Sequence, residues 1–591
     1  MKKTFHLWMI LIFSANSYHS QIYIENVTVV DVIHKKLIPD QTVVFSGKPI
    51  IEIKPGRQIK IPQNSHVIDG KGKYLIPGMT DSHVHFFQSG GLYARPDALD
   101  LRKHVPYEKE IRWSHNRMED LLQRYLKMGI TSVIDPGATY NLLKLRDSLK
   151  ENVRLPSVYM SGPLITTYEP EVFKNLNKDE PFRLLTSVGD AKKLVQEQLP
   201  YQPDFIKIWY IVTGDADTKK EQTRKLEPAI KAVIDEAHQN NLKVAVHATE
   251  RFTAETAVQN GADYLVHNIE DEIISNDFVK LLKSKNVILS PTLTVMDHYY
   301  DTYGQKTVYN TYELENSNPE SIGSMYDLKH LAQTSDSAML NKLKSRFNTA
   351  KVKAYVSKMD SIRSVNLKKL ADGGVTIAAG TDAGNIGTQH GSSFMAELKA
   401  MKASGMTEWQ VLQSATINPA KILNKEKDFG SIEVGKAADL VLLNSNPVEN
   451  LGNLSDISAI FRNGMPIDLK RIVKNTPENL VQQQVNGYNA GNIDAFMEPY
   501  AEDVELYIFP SKLICKGKEA MRKIYLNLFS KTPDLHCEIT QRIVNEQYIV
   551  DKENITGQRP GIRTEATAIY EIKDDKISKV YFLSQKNIDK K

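Results

Sequence analysis

The sequence predicts an α/β chain built around a (β/α)8 barrel, with a flanking composite β-sandwich and a C-terminal α+β domain. Three observations carry this. Between residues 75 and 425, short apolar segments of strand type alternate with segments of helical period. Two β-branched blocks rich in turn residues, 21–74 and 426–474, bracket that region. A new pattern starts near Thr476, helices first and strands after, and runs through 476–591.

Residues 1–20 read as an export signal. Lys2 and Lys3 precede an apolar run, Phe5–Phe13, and then small polar residues. Removal of that segment places the mature chain in the periplasm or outside the cell. No later run is long enough to span a bilayer, so no membrane insertion is expected after signal removal. In an oxidising compartment Cys515 and Cys537 are either a disulfide or two thiols, and both readings stay open.

Usage is 41% hydrophobic and 25% charged, which excludes a disordered or collagen-like chain. A net charge of +4 makes nucleic acid a poor partner and leaves a small-molecule substrate as the expectation. Association into a homo-oligomer stays open.

The two β blocks flank the centre, so they are expected to pair with each other. Eight strand-like segments follow in the central region: Thr80–Phe86, Ile130–Asp135, Ser157–Ser161, Phe205–Tyr210, Lys243–His247, Tyr264–His267, Val287–Ser290 and Val375–Gly380. Helical patterns separate them, such as Leu226–Asn240. Alternation of this kind implies a parallel sheet. The stretch 296–370 is too long for one connection and reads as a helical insertion near the barrel mouth.

Active sites of such barrels sit at the C-terminal ends of the strands. His83 and His85 end the first strand two residues apart, so they face one side. His247 ends the fifth strand, His267 the sixth and Asp382 follows the eighth. Four imidazoles and a carboxylate at one mouth point to a shared metal centre. Lys207 lies in the apolar fourth strand between Ile206 and Ile208. A buried ammonium there needs a partner or neutralisation. Addition of carbon dioxide would make a carbamate, an anionic two-oxygen ligand able to bridge two cations. The donor set then suffices for two divalent ions, with Zn2+ the default. Tyr210 and His390 are candidate substrate contacts. Packing inside the barrel and capping of the next helix are their competing readings.

At these residues the chain resembles the metal-dependent amidohydrolase superfamily. The carriers are Leu75–His85 (LIPGMTDSHVH), Ile206–Lys207, His247–Glu250 (HATE), Gly380–Gly384 (GTDAG), Asn418–Asn424 and Gly430–Leu443. The subgroup they resemble is imidazolonepropionase-related and Xaa-Pro-dipeptidase-like. The resemblance implies hydrolysis of an amide-like bond in a dipeptide, an N-acyl amino acid or a cyclic amide. It implies one ion on His83, His85 and Asp382, a second on His247 and His267, and carboxylated Lys207 between them. Asp382 is then also the acid–base group. The alternative it leaves is a one-ion deaminase or cyclic-amide hydrolase in which Glu250 moves the proton. A third reading is a binding protein without activity. The segment Val485–Tyr507 resembles the SnoaL-like, nuclear transport factor 2-like cone fold, for which no catalytic residue is expected here.

Overall fold

The computed structural model describes residues 21–331, 334–583 and 585–589. The expected export signal, residues 1–20, lies outside the described residues. Among the described residues, no helix is long and apolar enough to cross a membrane.

The two β blocks form one mixed sheet of eight strands. They meet where Tyr74–Pro77 runs antiparallel to Leu440–Leu443, with Leu440 opposite Pro77 and Leu443 opposite Tyr74. Alternation along these strands decides which core each side chain joins. Leu75, Leu440 and Leu442 pack inside the sheet's own cluster, where Phe45 meets Phe461 edge-on at 5.2 Å. Ile76, Val441 and Leu443 point the other way into the large central core. One face of this sheet therefore docks on the central region, which it braces from outside.

The central strands are parallel. Seven run in the order Phe182–Leu184, Leu164–Thr166, Ile206–Trp209, Val244–His247, Tyr264–Val266, Ile288–Ser290 and Thr376–Ile377. Three more run in the order Met79–Asp81, Ile130–Asp135 and Ser157–Met160. Most are short runs buried on both faces, as parallel strands under helices must be, whereas Phe182–Leu184 at the sheet edge ends in the exposed Leu184. The two sheets are joined by hydrogen bonds from Ser82 N to Ala379 O (2.8 Å) and from Asp204 N to Met160 O (2.8 Å). A bridge pairs Val84 with Ala383.

The third predicted strand, Ser157–Ser161, forms as Ser157–Met160, and a further strand that the sequence did not predict, Leu164–Thr166, follows it. Ser157–Met160 pairs with Ile130–Asp135, and Leu164–Thr166 pairs with Ile206–Trp209. Pro163 between them has no N–H for a ladder. Gly162 sits where a Cβ would meet the Gln198 side chain at 2.4 Å. The helix expected over Leu226–Asn240 begins earlier and spans Ala216–Gln239. Asp215 caps it, its carboxylate accepting the Thr218 N–H at 2.9 Å.

The stretch 296–370 is mostly helical, with Val295–Gly304, Ser337–Phe347 and Ala350–Asp372 as its longest pieces. The C-terminal unit is mainly strands. Six lie in the order Lys512–Lys516, Tyr500–Ile508, Lys576–Phe582, Ile562–Lys573, Tyr548–Thr556 and His536–Asn545. Lys586–Asp589 adds to Ile562–Lys573. Helices Pro477–Ala490, Ile493–Met497 and Lys518–Lys531 accompany them. Asn486 ties this unit to the insertion by donating to Pro319 O at 2.8 Å. Cys515 and Cys537 are both free thiols, and Cys537 is buried.

Candidate active site

His83 and His85 follow the strand Met79–Asp81, on either side of the bridged Val84. Their Nε2 atoms lie 3.1 Å apart. Asp382 Oδ1 is 3.2 Å from each of them. Ligand atoms about 2.0–2.1 Å from a tetrahedral zinc stand about 3.3 Å from one another. The triad is therefore already set at the spacing of a coordination sphere. Its electrostatics agree, because Asp382 Oδ1, the oxygen that both Nε2 atoms face, is buried with no hydrogen-bond partner. Buried polar atoms that converge unpaired fit a cation.

His267 and His247 complete the arrangement. Their rings are 4.3 Å apart, and the His83 ring is 5.1 Å from that of His267. His267 Nδ1 lies 2.7 Å from Thr292 Oγ1, which leaves Nε2 as the available ligand atom. His267 Nδ1 is also 4.0 Å from Asp382 Oδ2. Lys207, 1% exposed, lines the same cavity as His85, His247, His267 and Asp382. Burial pushes its amine down to about 7, against the attraction of Asp382 and Asp135. Burial, with the neighbouring cations, holds His83 and His247 well below the usual imidazole range, and His267 falls to about 3. Neutral imidazoles are the ligand form; His85 differs, because burial lowers it but contact with Asp135 and Asp382 outweighs that and raises it above its ordinary value. Burial works to raise the Asp382 carboxyl, but contact with His85 and the nearby His267 and Lys207 hold it below its ordinary value.

The backbone is bent to hold this geometry. His267 has φ +76° and Asp382 φ +60°, both in the left-handed region that costs a non-glycine residue about 1–3 kcal/mol. Gly384 follows at φ +107°, where a Cβ would lie 2.3 Å from His85 O. The GTDAG run thus lets two backbones approach where the ligands meet.

Several predicted residues stand elsewhere. Tyr210 is fully buried and does not line the cavity; its hydroxyl donates to Thr223 O at 2.8 Å. Strand alternation explains this, since Lys207 and Trp209 share one side and Tyr210 takes the other. His390 is also buried away from the cavity. It stacks on Phe86 at 5.1 Å, and its Nε2 lies 2.9 Å from Gln88 O. Glu250 sits at the N-cap of the helix Arg251–Gln259, 2.6 Å from Lys219 Nζ, and its neighbour Thr249 faces the cavity instead.

Two acids went unread in the sequence. Asp135 lies 3.3 Å from His85 Nδ1 and accepts the N–H groups of Phe86 and Gly137, each at 3.0 Å. It ends the second strand, so the strand-end rule that selects His247 also selects Asp135. Glu270 faces the cavity from the loop after the sixth strand, where no periodicity marks it.

The cavity above the triad measures about 430 Å³. The profile of the Amidohydrolase family matches residues 74–469, and that of the SnoaL-like domain matches 481–580. An imidazolonepropionase of Alkaliphilus metalliredigens (strain QYMF) is 23% identical over 447 residues, covering 74% of this chain and 92% of its own. A crystal structure of a Xaa-Pro dipeptidase with bound methionine in the active site superposes with a TM-score of 0.56 at 22% identity, over 76% of this chain and 100% of the other. Molinate hydrolase gives 0.55 at 20% identity, over 77% of this chain and 96% of its own. These likenesses imply a TIM-barrel-like α/β fold. With more than half its length matched, the chain belongs to the amidohydrolase family, hydrolases acting on carbon–nitrogen bonds.

Proposed function

We propose that this chain hydrolyses an amide-like carbon–nitrogen bond with two divalent ions, zinc by donor chemistry, held at the cavity floor. The observation that carries this is the buried convergence of His83, His85 and Asp382. In this reading those three would hold one ion and His247 and His267 the other, and Lys207, as a carbamate, would be a ligand to both. Bound metal supplies a water of lowered pKa and polarises a carbonyl oxygen.

The chain's own residues do the rest. Asp135 orients His85. Asp382 Oδ2 takes the proton released at the nucleophile and returns it to the leaving nitrogen. Burial lowers the Lys207 amine to about 7, which raises the share of the neutral form that adds carbon dioxide. Phe182 and Trp209 keep bulk water from the floor. The names of the relatives, an imidazolonepropionase, a Xaa-Pro dipeptidase and a molinate hydrolase, support hydrolysis rather than one substrate.

The same reading extends to architecture. The two parallel sheets are taken as one closed (β/α)8 barrel over 75–425, supported by the Ser82–Ala379 and Asp204–Met160 hydrogen bonds. Residues 296–370 are its insertion, 21–74 with 426–474 its sandwich, and 476–591 the SnoaL-like unit. Residues 1–20 direct export, which N-terminal sequencing of the mature protein tests.

A one-ion alternative is favoured by the compactness of the triad but weakened by the Glu250–Lys219 ion pair. Elemental analysis separates the two: two ions per chain are expected, and firmly one would favour the alternative. Lys207→Ala should lose most bound metal and activity by orders of magnitude, with partial rescue by a short carboxylic acid. Near-wild-type metal content in folded Lys207→Ala would sink the bridge.

A further inference from the structure

The cavity above the triad is walled by aromatic rings. Trp209 stacks on Phe182 at 4.8 Å, and Phe87 meets Phe182 edge-on at 6.3 Å. The insertion adds a second group: Tyr303 lies 5.9 Å from Tyr299 and 4.9 Å from Phe347. All six rings line the same space. Such surfaces favour flat or branched apolar groups.

The charges around that space are already committed. Among the described residues that line it, the Arg and Lys side chains are Arg95 and Lys207. Arg95 grips Asp97 with Nε at 2.7 Å and Nη2 at 2.6 Å. Its Nη1 donates to Asn385 Oδ1 at 2.7 Å and to Tyr299 Oη at 3.1 Å. A guanidinium held bidentate by one carboxylate has little left for another. Lys207 becomes an anion in the proposed reading. Glu270 then adds an acid to the wall. Its nearest cation, Arg363, stands 3.8 Å away and is shared with Asp297 at 3.3 Å and with Asp360. A carboxylate on the non-reacting part of a substrate would meet rings, a satisfied arginine and an acid.

We propose that the substrate is an uncharged amide bearing an aromatic or branched apolar group, and that Glu270 excludes carboxylated analogues. This rests on the amide-hydrolysis reading and narrows it, setting aside free dipeptides and N-acyl amino acids. Glu270 is here a specificity residue. Burial raises its carboxyl to about 7, so it rejects the wrong substrate by like charge above that pH, and the test is run at pH 8.5.

Two matched pairs test it: N-benzoylpyrrolidine against N-benzoyl-proline, and acetanilide against 4-acetamidobenzoate. Members of each pair differ by one carboxylate. With the full metal-loaded chain, the neutral member of at least one pair should have the higher kcat/KM by about 100-fold or more, mainly through KM. Glu270→Gln should narrow the ratio, and Glu270→Arg should move it toward the acid. Equal or better hydrolysis of the acids would overturn the inference. Binding followed by Trp209 fluorescence, with Trp209→Phe as control, separates the two readings. Neutral amides that bind tenfold tighter than the acids but are not cleaved would refute the hydrolysis and keep the selectivity. Acids that bind as tightly would refute the selectivity whether or not anything is cleaved.

Discussion

Two cavities in this chain are walled by aromatic rings and hold buried polar groups, and they treat those groups in opposite ways. The cavity of the C-terminal unit, about 250 Å³, is lined by Tyr488, Phe496, Tyr525 and Glu553 among others. Its polar groups answer one another. Tyr570 donates to Glu553 Oε1 at 3.0 Å, Gln484 Nε2 donates to Tyr570 Oη at 3.1 Å, and Tyr500 donates to Gln484 Oε1 at 3.2 Å. In the cavity above the triad Asp382 Oδ1 has no hydrogen-bond partner in the protein. An unmet buried donor or acceptor costs about 1–3 kcal/mol. A chain tolerates one at a site when something else completes it. The first cavity is a closed network and the second an open one, which assigns chemistry to the second.

The largest expected effect breaks that contrast directly. His83→Ala or Asp382→Ala should cost at least about 1,000-fold in kcat and release metal, as losses at metal centres do. Gln484→Leu in the other cavity should leave kcat within about twofold, since it touches no reacting group. Steady-state kinetics with elemental analysis of each variant would decide, and a reversal of the two outcomes would overturn the assignment.

Next in size is a pH effect confined to the closed network. Burial pushes the Glu553 carboxyl from 4.5 up to about 7, only partly offset by the Tyr570 hydrogen bond. Below pH 4.5 folded and unfolded chains both carry the proton, and Glu553 adds no pH dependence. Between pH 4.5 and 7 the folded chain keeps a proton that the unfolded chain gives up, so stability falls as pH rises. Above pH 7 the loss is complete, about 3 kcal/mol at most. Glu553→Gln should flatten that slope and raise the urea midpoint of the C-terminal unit at pH 8. A variant with the wild-type slope would show that Glu553 is ionised in the fold.

Asp135→Asn probes the support beneath the open site. Asp135 touches His85 but is not counted among the ligands. Loss of a partner behind a metal-bound histidine typically weakens metal affinity by about 10–100-fold. Competition with a chelator measures this. Unchanged affinity would mean that Phe86 N–H and Gly137 N–H, not His85, are the reason for Asp135.

How much of this was legible in the sequence follows from the same physics. His247, His267 and Asp382 could be found because each follows an apolar run, which fixes where a strand stops, and His83 and His85 because their two-residue spacing puts them on one side of a strand. Lys207 stood out because a cation inside such a run needs a reason. Glu270 and Arg95 could not be found. They come from loops whose partners, Arg363 and Asn385, lie far along the chain, and nothing local announces a tertiary contact. The start of the helix at Ala216 was hidden by a polar first turn, with Asp215 as its only cue. The aromatic lining from Tyr299, Tyr303 and Phe347 was equally hidden, because an insertion's period says that it is helical and not which face meets a cavity.

Tyr210 is the smallest test and concerns the pleat alone. It follows Trp209, and the two face opposite ways: Trp209 lines the cavity, while the Tyr210 hydroxyl donates to Thr223 O in the helix Ala216–Gln239. Tyr210→Phe removes one buried hydrogen bond and keeps the ring, so it should cost about 1 kcal/mol of stability. It should leave kcat/KM within about twofold. Trp209→Ala, one residue away, should instead raise KM, because it strips the stacked wall formed with Phe182. Measuring unfolding midpoint and kcat/KM for both variants separates packing from contact. A loss of kcat/KM beyond about tenfold in Tyr210→Phe, with stability unchanged, would put its hydroxyl in reach of substrate and reverse the parity assigned to the strand.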